Sequence, residues 1–406
     1  LMQITGRDTG GRLHMARSRN DIAATIDRIR ARALVLQVTE ALARIRIVAL
    51  ERAEAHAATV MPGYTHLQPA QPISFGFYLG AVAEALGRDM DRLLGTLARI
   101  DALPLGAGAL AGTRFAIDRS ISARYLGFGT VMPNTLDAVA SRDFAWEAMA
   151  AMAITAVTWG RVAQDLHVWS TPEFGLVGFP DRVASTSSIM PQKKNPAVLE
   201  YLKGKSAHIL GLLNTSLLTV KGTFFTHTGD SSRESMRSFW ECGEEVLRSL
   251  ALFELIVASV EPQSGPMRTR VRADFSVATD LADGLVAEAD LSFRDAHHVV
   301  GALVRLALDA GLAASEIPSA MLAQAAQEVT GQPLAWPQSR LDAYLDPMAS
   351  LQARQQGGPA PDSVRAHLHT QRTHLVACHA RVQATRAHLA AAHQQMKRDM
   401  ALLASR

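Results

Sequence analysis

The chain has 406 residues, 48% of them apolar and only 6% aromatic, and its 41 basic and 38 acidic side chains leave a formal net charge of +3. That composition supplies a large core and about two to three domains, and it excludes the aromatic-interleaved basic surface of a nucleic-acid binder. Apolar runs such as residues 250–260 are too short to span a bilayer, the start has no signal-peptide pattern, and the isolated Cys242 and Cys378 argue against a disulfide framework or a structural zinc site; a cytoplasmic protein without membrane, metal or cofactor is expected.

In chain order, the first feature is HMARSRND, residues 14–21. Ser18 or Asn20 can cap a helix there, and Arg17 and Arg19 crowd a helix N-terminus that already favours anions. Residues 20–52 follow with apolar positions three or four apart, the spacing of one helix face. The segments 76–100, 137–170, 198–221 and 233–260 read as further long helices rich in Ala, Leu, Glu and Arg. Such lengths fit a helix bundle shared between subunits, and no convincing alternating strand is present. Gly- and Pro-bearing connections fall at 61–75, 103–115, 171–197 and 222–232, and GGPAP at 357–361 precedes a last helix. In that helix Leu368, Leu375, Val382, Leu389, Met396 and Leu403 recur every seven residues, a seam against the body or another chain. The expected division is an N-terminal region 1–70, a helix-bundle domain 71–262 with a catalytic loop at 185–197, a C-terminal helical domain 263–361 and a helical tail 362–406.

Two of the connections carry chemistry. PGYTHLQPAQP (62–72) fences Thr65, His66, Gln68 and Gln71 between prolines, and His66 is the side chain whose proton comes and goes near neutral pH. SSIMPQKKNP (187–196) sets Ser187 and Ser188 beside Lys193, Lys194 and Asn195. Asn195-Pro196 has the form of a cap and first helical residue, with Glu200 a turn later. Lysine charge, an amide, loop N–H groups and a helix start together make an anion trap with a hydroxyl at hand. His297 and His298 are adjacent on a helix and cannot chelate as an i,i+4 pair would. There is no HExxH, no acidic ligand cluster, no GxGxxG after a strand and no GxxxxGKS.

Taken with LPLGAGALAGT (103–113), MPNTLDAV (132–139), VATDLADGLV (277–286) and AHHVVGALVRLA (296–307), these stretches resemble the fumarase/aspartase superfamily, and the argininosuccinate lyases most closely. The resemblance runs to about residue 361, with Met15, Ala16, Ile22 and Thr186 as local departures and a family N-terminal stretch expected to be missing. It implies an all-α long-helix fold, a homotetramer, and active sites drawn from three subunits. It also implies reversible β-elimination of fumarate from an N-substituted aspartate. In that scheme Ser187 is the base, and Lys193 and Asn195 hold the carboxylate that gathers charge. Thr65 and His66 stand at the other carboxylate and the leaving nitrogen, with Glu200 paired to His66. Ser18, Arg19 and Asn20 complete the carboxylate grip, and Gln68, Ser188 and Met190 belong to the substrate site. Positioned cations and donors in a dry site are what such a dianion requires.

One segment departs. After Lys221-Gly222 the resembling lyases continue Tyr-Asn-Arg-Asp-Leu-Gln-Glu-Asp-Lys, whereas residues 227–235 here read HTGDSSRES and keep only Asp230. In the family that segment helps hold the amino-acid end of arginine, and loss of such partners costs about 2–5 kcal/mol. The expected substrate is therefore another amine or an aminopolycarboxylate of the ethylenediamine-disuccinate type. The alternatives are a genuine argininosuccinate lyase with a divergent amine pocket, or an inactive structural, lens-crystallin-like protein.

Overall fold

The computed structural model describes residues 2–405. Five long helices form the body: α1 (Arg19–Ala55), α2 (Phe75–Ile100), α3 (Asp143–Trp169), α4 (Ala197–Val220) and α5 (Ser235–Ser259). Helix α1 runs for 37 residues without a glycine or proline. Its start is fixed by a capping box, in which Ser18 Oγ accepts from Asn20 N (3.2 Å) and Asp21 Oδ1 from Ser18 N (3.0 Å). Each helix packs on its neighbours in the order α1–α2–α3–α4–α5, and α5 returns to α1, closing a ring. The core inside includes Leu42, Ile45, Met90, Trp159, Phe239 and Phe253, all at most 1% exposed. A further helix, α6 (Pro361–Ala404), lies along α1 and α2. Its seven-residue stripe seats Leu368, Leu375 and Val382 in that core, while Leu403 stays exposed.

Successive helices run in opposite directions, which gives the bundle two chemically distinct ends. At one end Arg28 donates to the carbonyls of Arg99 and Ile100, Arg142 pairs with Asp27 at 3.2 Å, and Ser216 bonds Ser235 at 2.8 Å. The start of α1, the end of α2, the start of α3 and the α4–α5 connection therefore meet there. At the other end Tyr78 donates to Asp165 (3.0 Å), Lys203 contacts His167 (2.8 Å), and Arg52 donates to the carbonyls of Ala258 and Val260. Helix α1 alone separates the two ends by about 55 Å at 1.5 Å per residue.

Three local expectations are corrected. The connection 61–75 is a β-hairpin, β1 (Val60–Thr65) against β2 (Gln68–Ser74), with Pro62 opposite Pro72 and Tyr64 opposite Pro69. In a two-stranded ribbon each strand is an edge, so proline is tolerated and the alternation is disguised. The helix expected over 137–170 is divided into Thr135–Ala140 and α3, because Arg142 turns its fully buried guanidinium inward to Asp27 and to the carbonyls of Val139 and Ser141. Asn195 does not cap α4; its backbone pairs with Ser185, and Pro196 takes the cap position.

A second apolar core, including Leu281, Leu285, Val299, Leu303, Leu322 and Leu341, belongs to the short helices between residues 264 and 353. This module touches the hairpin through Val60, Val271 and Leu351, and through a 3.3 Å bond from Gln71 Nε2 to Thr279 Oγ1. No helix among the described residues is long and apolar enough to cross a membrane.

Candidate active site

The hairpin presents one group of candidates. Thr65 pairs with Gln68, so His66 and Leu67 form a two-residue turn, with φ of 54° and 58°. Both positive angles match the right-handed twist of a tight hairpin, and in non-glycine residues they store strain of about 1–2 kcal/mol each. Leu67 is 64% exposed, and Thr65, His66 and Gln68 are exposed beside it. Strain held at an exposed tip that carries a histidine is the pattern of a functional turn.

The second group lies on the loop between α3 and α4. Two-residue strands β3 (Ser185–Thr186) and β4 (Lys194–Asn195) pair antiparallel, and the intervening turn closes on Lys193 N donating to Met190 O at 3.0 Å. Ser187 Oγ accepts from two backbone N–H groups, Met190 at 3.0 Å and Ile189 at 3.3 Å. Donors converging on one hydroxyl oxygen favour its alkoxide, which is what a serine base needs. Lys194 is tied to Asp181, whereas the exposed Lys193 ammonium has no partner among the described residues. Ser188 and Met190 are exposed and Asn195 is half-buried. Glu200 stands on the first turn of α4, 3.9 Å from His167 Nε2; within one chain its neighbour is His167 and it does not meet His66. Burial, reinforced by Lys203, holds His167 below the ordinary histidine value.

The third group sits at the opposite end of the bundle. Arg17, Ser18, Arg19 and Asn20 line a cleft of about 500 Å³ together with His14 and Thr113. Asn20 Nδ2 donates to Ala109 O (3.0 Å). Fully buried Asp21 ties the two walls together: its Oδ2 accepts from Gly106 N (2.9 Å) and Gly108 N (3.0 Å). The positive φ of Gly106 and Gly108 allows both N–H groups to turn towards one oxygen. The local sequence cue for Asp21 is its place three residues after Ser18, a capping-box spacing that says nothing of its reach to Gly106 and Gly108.

The divergent segment also lies at this end. Residues Asp230–Glu234 form a π-helical turn running into α5. The hydroxyls of Ser231 and Ser232 bond to Thr228 O, and Asp230 accepts from Thr228 and from Ser231 N. The Thr228 hydroxyl is the first cause of an Asp230 carboxyl held below its ordinary value. Burial, then Arg142, lowers His227, whose Nδ1 is enclosed without a hydrogen bond. Arg233 is exposed and makes no ion pair among the described residues.

Thus one chain collects Ser187, Ser188, Met190, Lys193, Asn195 and Glu200 at the same end as Thr65, His66 and Gln68. It leaves Ser18, Arg19, Asn20 and 227–235 at the other.

The family is settled by comparison with known proteins. Residues 2–211 match the family model described as Lyase, and residues 275–352 match that of the argininosuccinate lyase C-terminal region. Argininosuccinate lyase 1 of Shouchella clausii (strain KSM-K16) is 38% identical over 94% of this chain and 77% of its own length. The chain belongs to the argininosuccinate lyase family of the fumarase/aspartase superfamily. It is a carbon–nitrogen lyase with that superfamily's all-α architecture. Among solved structures, EDDS lyase in complex with formate superposes with a TM-score of 0.90 at 30% identity, over 98% of this chain and 79% of that one. An EDDS lyase variant with bound fumarate aligns with the same values.

Proposed function

We propose that this lyase reversibly eliminates fumarate from an N-substituted aspartate whose amine half is an aminopolycarboxylate or another amine rather than arginine. Ser187 Oγ takes the proton from the carbon beside the carboxylate, and the electron pair left behind spreads into that carboxylate as an aci-dianion. Lys193 and Asn195 hold it. The C–N bond then breaks as the pair re-forms the double bond of fumarate, and the nitrogen leaves with a proton supplied near His66. Ser18, Arg19 and Asn20 grip the second carboxylate with Thr65, while Gln68, Ser188 and Met190 close around the substrate. Closing the 185–197 loop would exclude water and strengthen both the alkoxide and the dianion contacts.

The observation that carries this reading is Ser187 Oγ receiving two backbone N–H groups on the same short turn as the unpaired Lys193. The amine assignment rests on the other end of the bundle. Arg17, Arg19 and Arg233 are exposed there without ion-pair partners among the described residues, and the hydroxyls of 228–232 are spent internally. Free cations suit a substrate with additional carboxylates, in keeping with the likeness to EDDS lyase.

The separation of the two ends supports sites shared between copies of the chain in a homotetramer, since no small substrate bridges about 55 Å. Helix α4 supports this as well: only Leu199, Leu202, Ile209 and Ser216 are buried along it, leaving Tyr201 64% and Leu218 67% exposed. Copies seated on that face would cover it.

Purified enzyme offered ethylenediamine disuccinate, other N-substituted aspartates and argininosuccinate, with fumarate followed by ultraviolet absorbance, tests the reading. Turnover of an aminopolycarboxylate with little turnover of argininosuccinate is expected. Robust turnover of argininosuccinate would favour the second reading, a genuine argininosuccinate lyase, which the 38% identity to a protein of that name supports.

A further inference from the structure

Away from all three groups, α6 is fastened to α2 by a cluster of different chemistry. His374 and Cys378 stand one turn apart on α6, and Asp91 faces them from α2, with one candidate ligand atom from each inside a 4.8 Å span. His374 Nε2 lies 3.2 Å from Asp91 Oδ1, and Cys378 Sγ lies 3.7 Å from Asp91 Oδ1 and 3.7 Å from His374 Nε2. A tetrahedral zinc ion with Zn–O and Zn–N of about 2.0–2.1 Å and Zn–S of about 2.3 Å has N···O edges of about 3.3 Å and S···N or S···O edges of about 3.6 Å. The three measured edges therefore outline one face of such a tetrahedron. Cys378 is 2% exposed, while the Asp91 and His374 side chains are 48% and 37% exposed, so the fourth position faces solvent.

We propose that Asp91, His374 and Cys378 bind a zinc ion that staples the C-terminal helix to the bundle, with water as the fourth ligand. The carboxylate and a thiolate balance the dication. Binding releases the Cys378 thiol proton, so affinity rises with pH while the thiol remains protonated in the free protein. The charged groups facing the cluster are Arg46 from α1 and Arg381 from α6, and Glu84 of α2 in turn faces Arg46. Arg46 Nη1 donates to His374 Nδ1 at 2.8 Å, which places the ring proton on Nε2 in the ion-free state. Zinc at Nε2 sends that proton to Nδ1 and breaks this one bond. In the ion-free state Arg46 is also held by Ala83 O, Gln371 O and Gln371 Oε1, which remain available to it when its Nη1 turns away from the ring. That exchange makes the site weaker than a paired-cysteine zinc site. Two of the three ligands stand a turn apart in the sequence, whereas the third, Asp91, lies 283 residues from His374.

Full-length protein stripped with a chelator and titrated with Co²⁺ should show a thiolate-to-cobalt charge-transfer band that saturates at one ion per chain and is bleached by Zn²⁺. Zn²⁺ should raise the melting temperature, and apparent affinity should fall about tenfold per pH unit on acidification below the thiol's titration, one proton being displaced. Cys378→Ala should abolish the band, His374→Gln should weaken it, and Cys242→Ala should leave it unchanged. Circular dichroism checks that each variant folds, and Asp91→Asn gives an independent reading should Cys378→Ala fail. Absence of the band in the unmodified chain, or its survival in both Cys378→Ala and Asp91→Asn, overturns the proposal.

Discussion

At the level of single residues, the proposed chemistry turns on how one oxygen is surrounded. Ser187 Oγ is the acceptor of two backbone N–H groups, so Ser187→Ala should lower fumarate release by about 10²–10⁴-fold, the usual worth of a positioned base. The side chain bonds only its own turn, so melting temperature should hardly move; a variant that releases fumarate at the original rate would remove Ser187 from the base role. Asp21 is the converse case, a buried carboxylate that serves architecture. Its oxygens accept three backbone N–H groups, from Ser18, Gly106 and Gly108. Asp21→Ala would orphan all three at a cost of about 3 kcal/mol or more, reckoned from about 1–3 kcal/mol per unsatisfied buried group. Denaturant unfolding reads that loss directly, and the cleft at Ser18–Asn20 should widen with it. Ser187, Lys193 and Asn195 were legible because hydroxyl, ammonium and amide stand within nine residues of one another. The Asp21 bridge was half-legible: its link to Ser18 is local, whereas its links to Gly106 and Gly108 span 85 and 87 residues and exist only after the chain folds back.

Among the elements, the long helices followed from periodicity, and the elements that escaped it are the ones that carry strain or inward charge. The 62–72 segment looked like a loop because Pro62, Pro69 and Pro72 mask the alternation, yet it is a hairpin. The break before α3 escaped because Arg142, a good helix former, is drawn inward by Asp27. The hairpin tip permits a test of whether its strain matters. Leu67 holds φ of 58° in the open. Leu67→Gly should relieve about 1–2 kcal/mol of backbone strain and lose about 0.4–1 kcal/mol to the freer unfolded chain. The expected outcome is a gain of about 0.5–1 kcal/mol in unfolding free energy at this tip, the difference of those two effects. A drop in melting temperature instead would show that the leucine side chain is held by contacts outweighing its backbone, such as those of a neighbouring copy.

For the whole molecule, acid and assembly make separate demands. His56, His167 and His227 are each lowered from 6.5, first by burial, so the folded chain prefers them neutral while the unfolded chain protonates them. The unfolded state then binds more protons as pH falls through 6.5, and melting temperature should drop between about pH 7.5 and pH 5.5. Buried Asp27 and Asp89 and half-buried Asp165 and Asp274 are raised from 3.8, first by desolvation, and act with the opposite sign. His227→Gln should flatten the histidine part of the slope; an unchanged slope would mean that His227 is not neutralised by folding. Assembly is the sharper demand. The 185–197 loop and the Ser18–Asn20 cleft sit at opposite ends of α1, about 55 Å apart, so the proposed function requires a site that takes them from different copies. On that reading Ser187→Ala should spoil every site to which a given chain lends its loop, and Asn20→Ala every site to which it lends its cleft. Each variant alone should be nearly inactive. In a mixed assembly some sites receive an intact loop from one parent and an intact cleft from the other, so co-refolding the two inactive proteins should restore a measurable fraction of fumarate release. The same proteins mixed without unfolding should remain inactive until subunits exchange. If co-refolding restores nothing while size-exclusion chromatography shows mixed oligomers, the two ends do not serve one site, and the carboxylate grip must be sought among residues at the hairpin end.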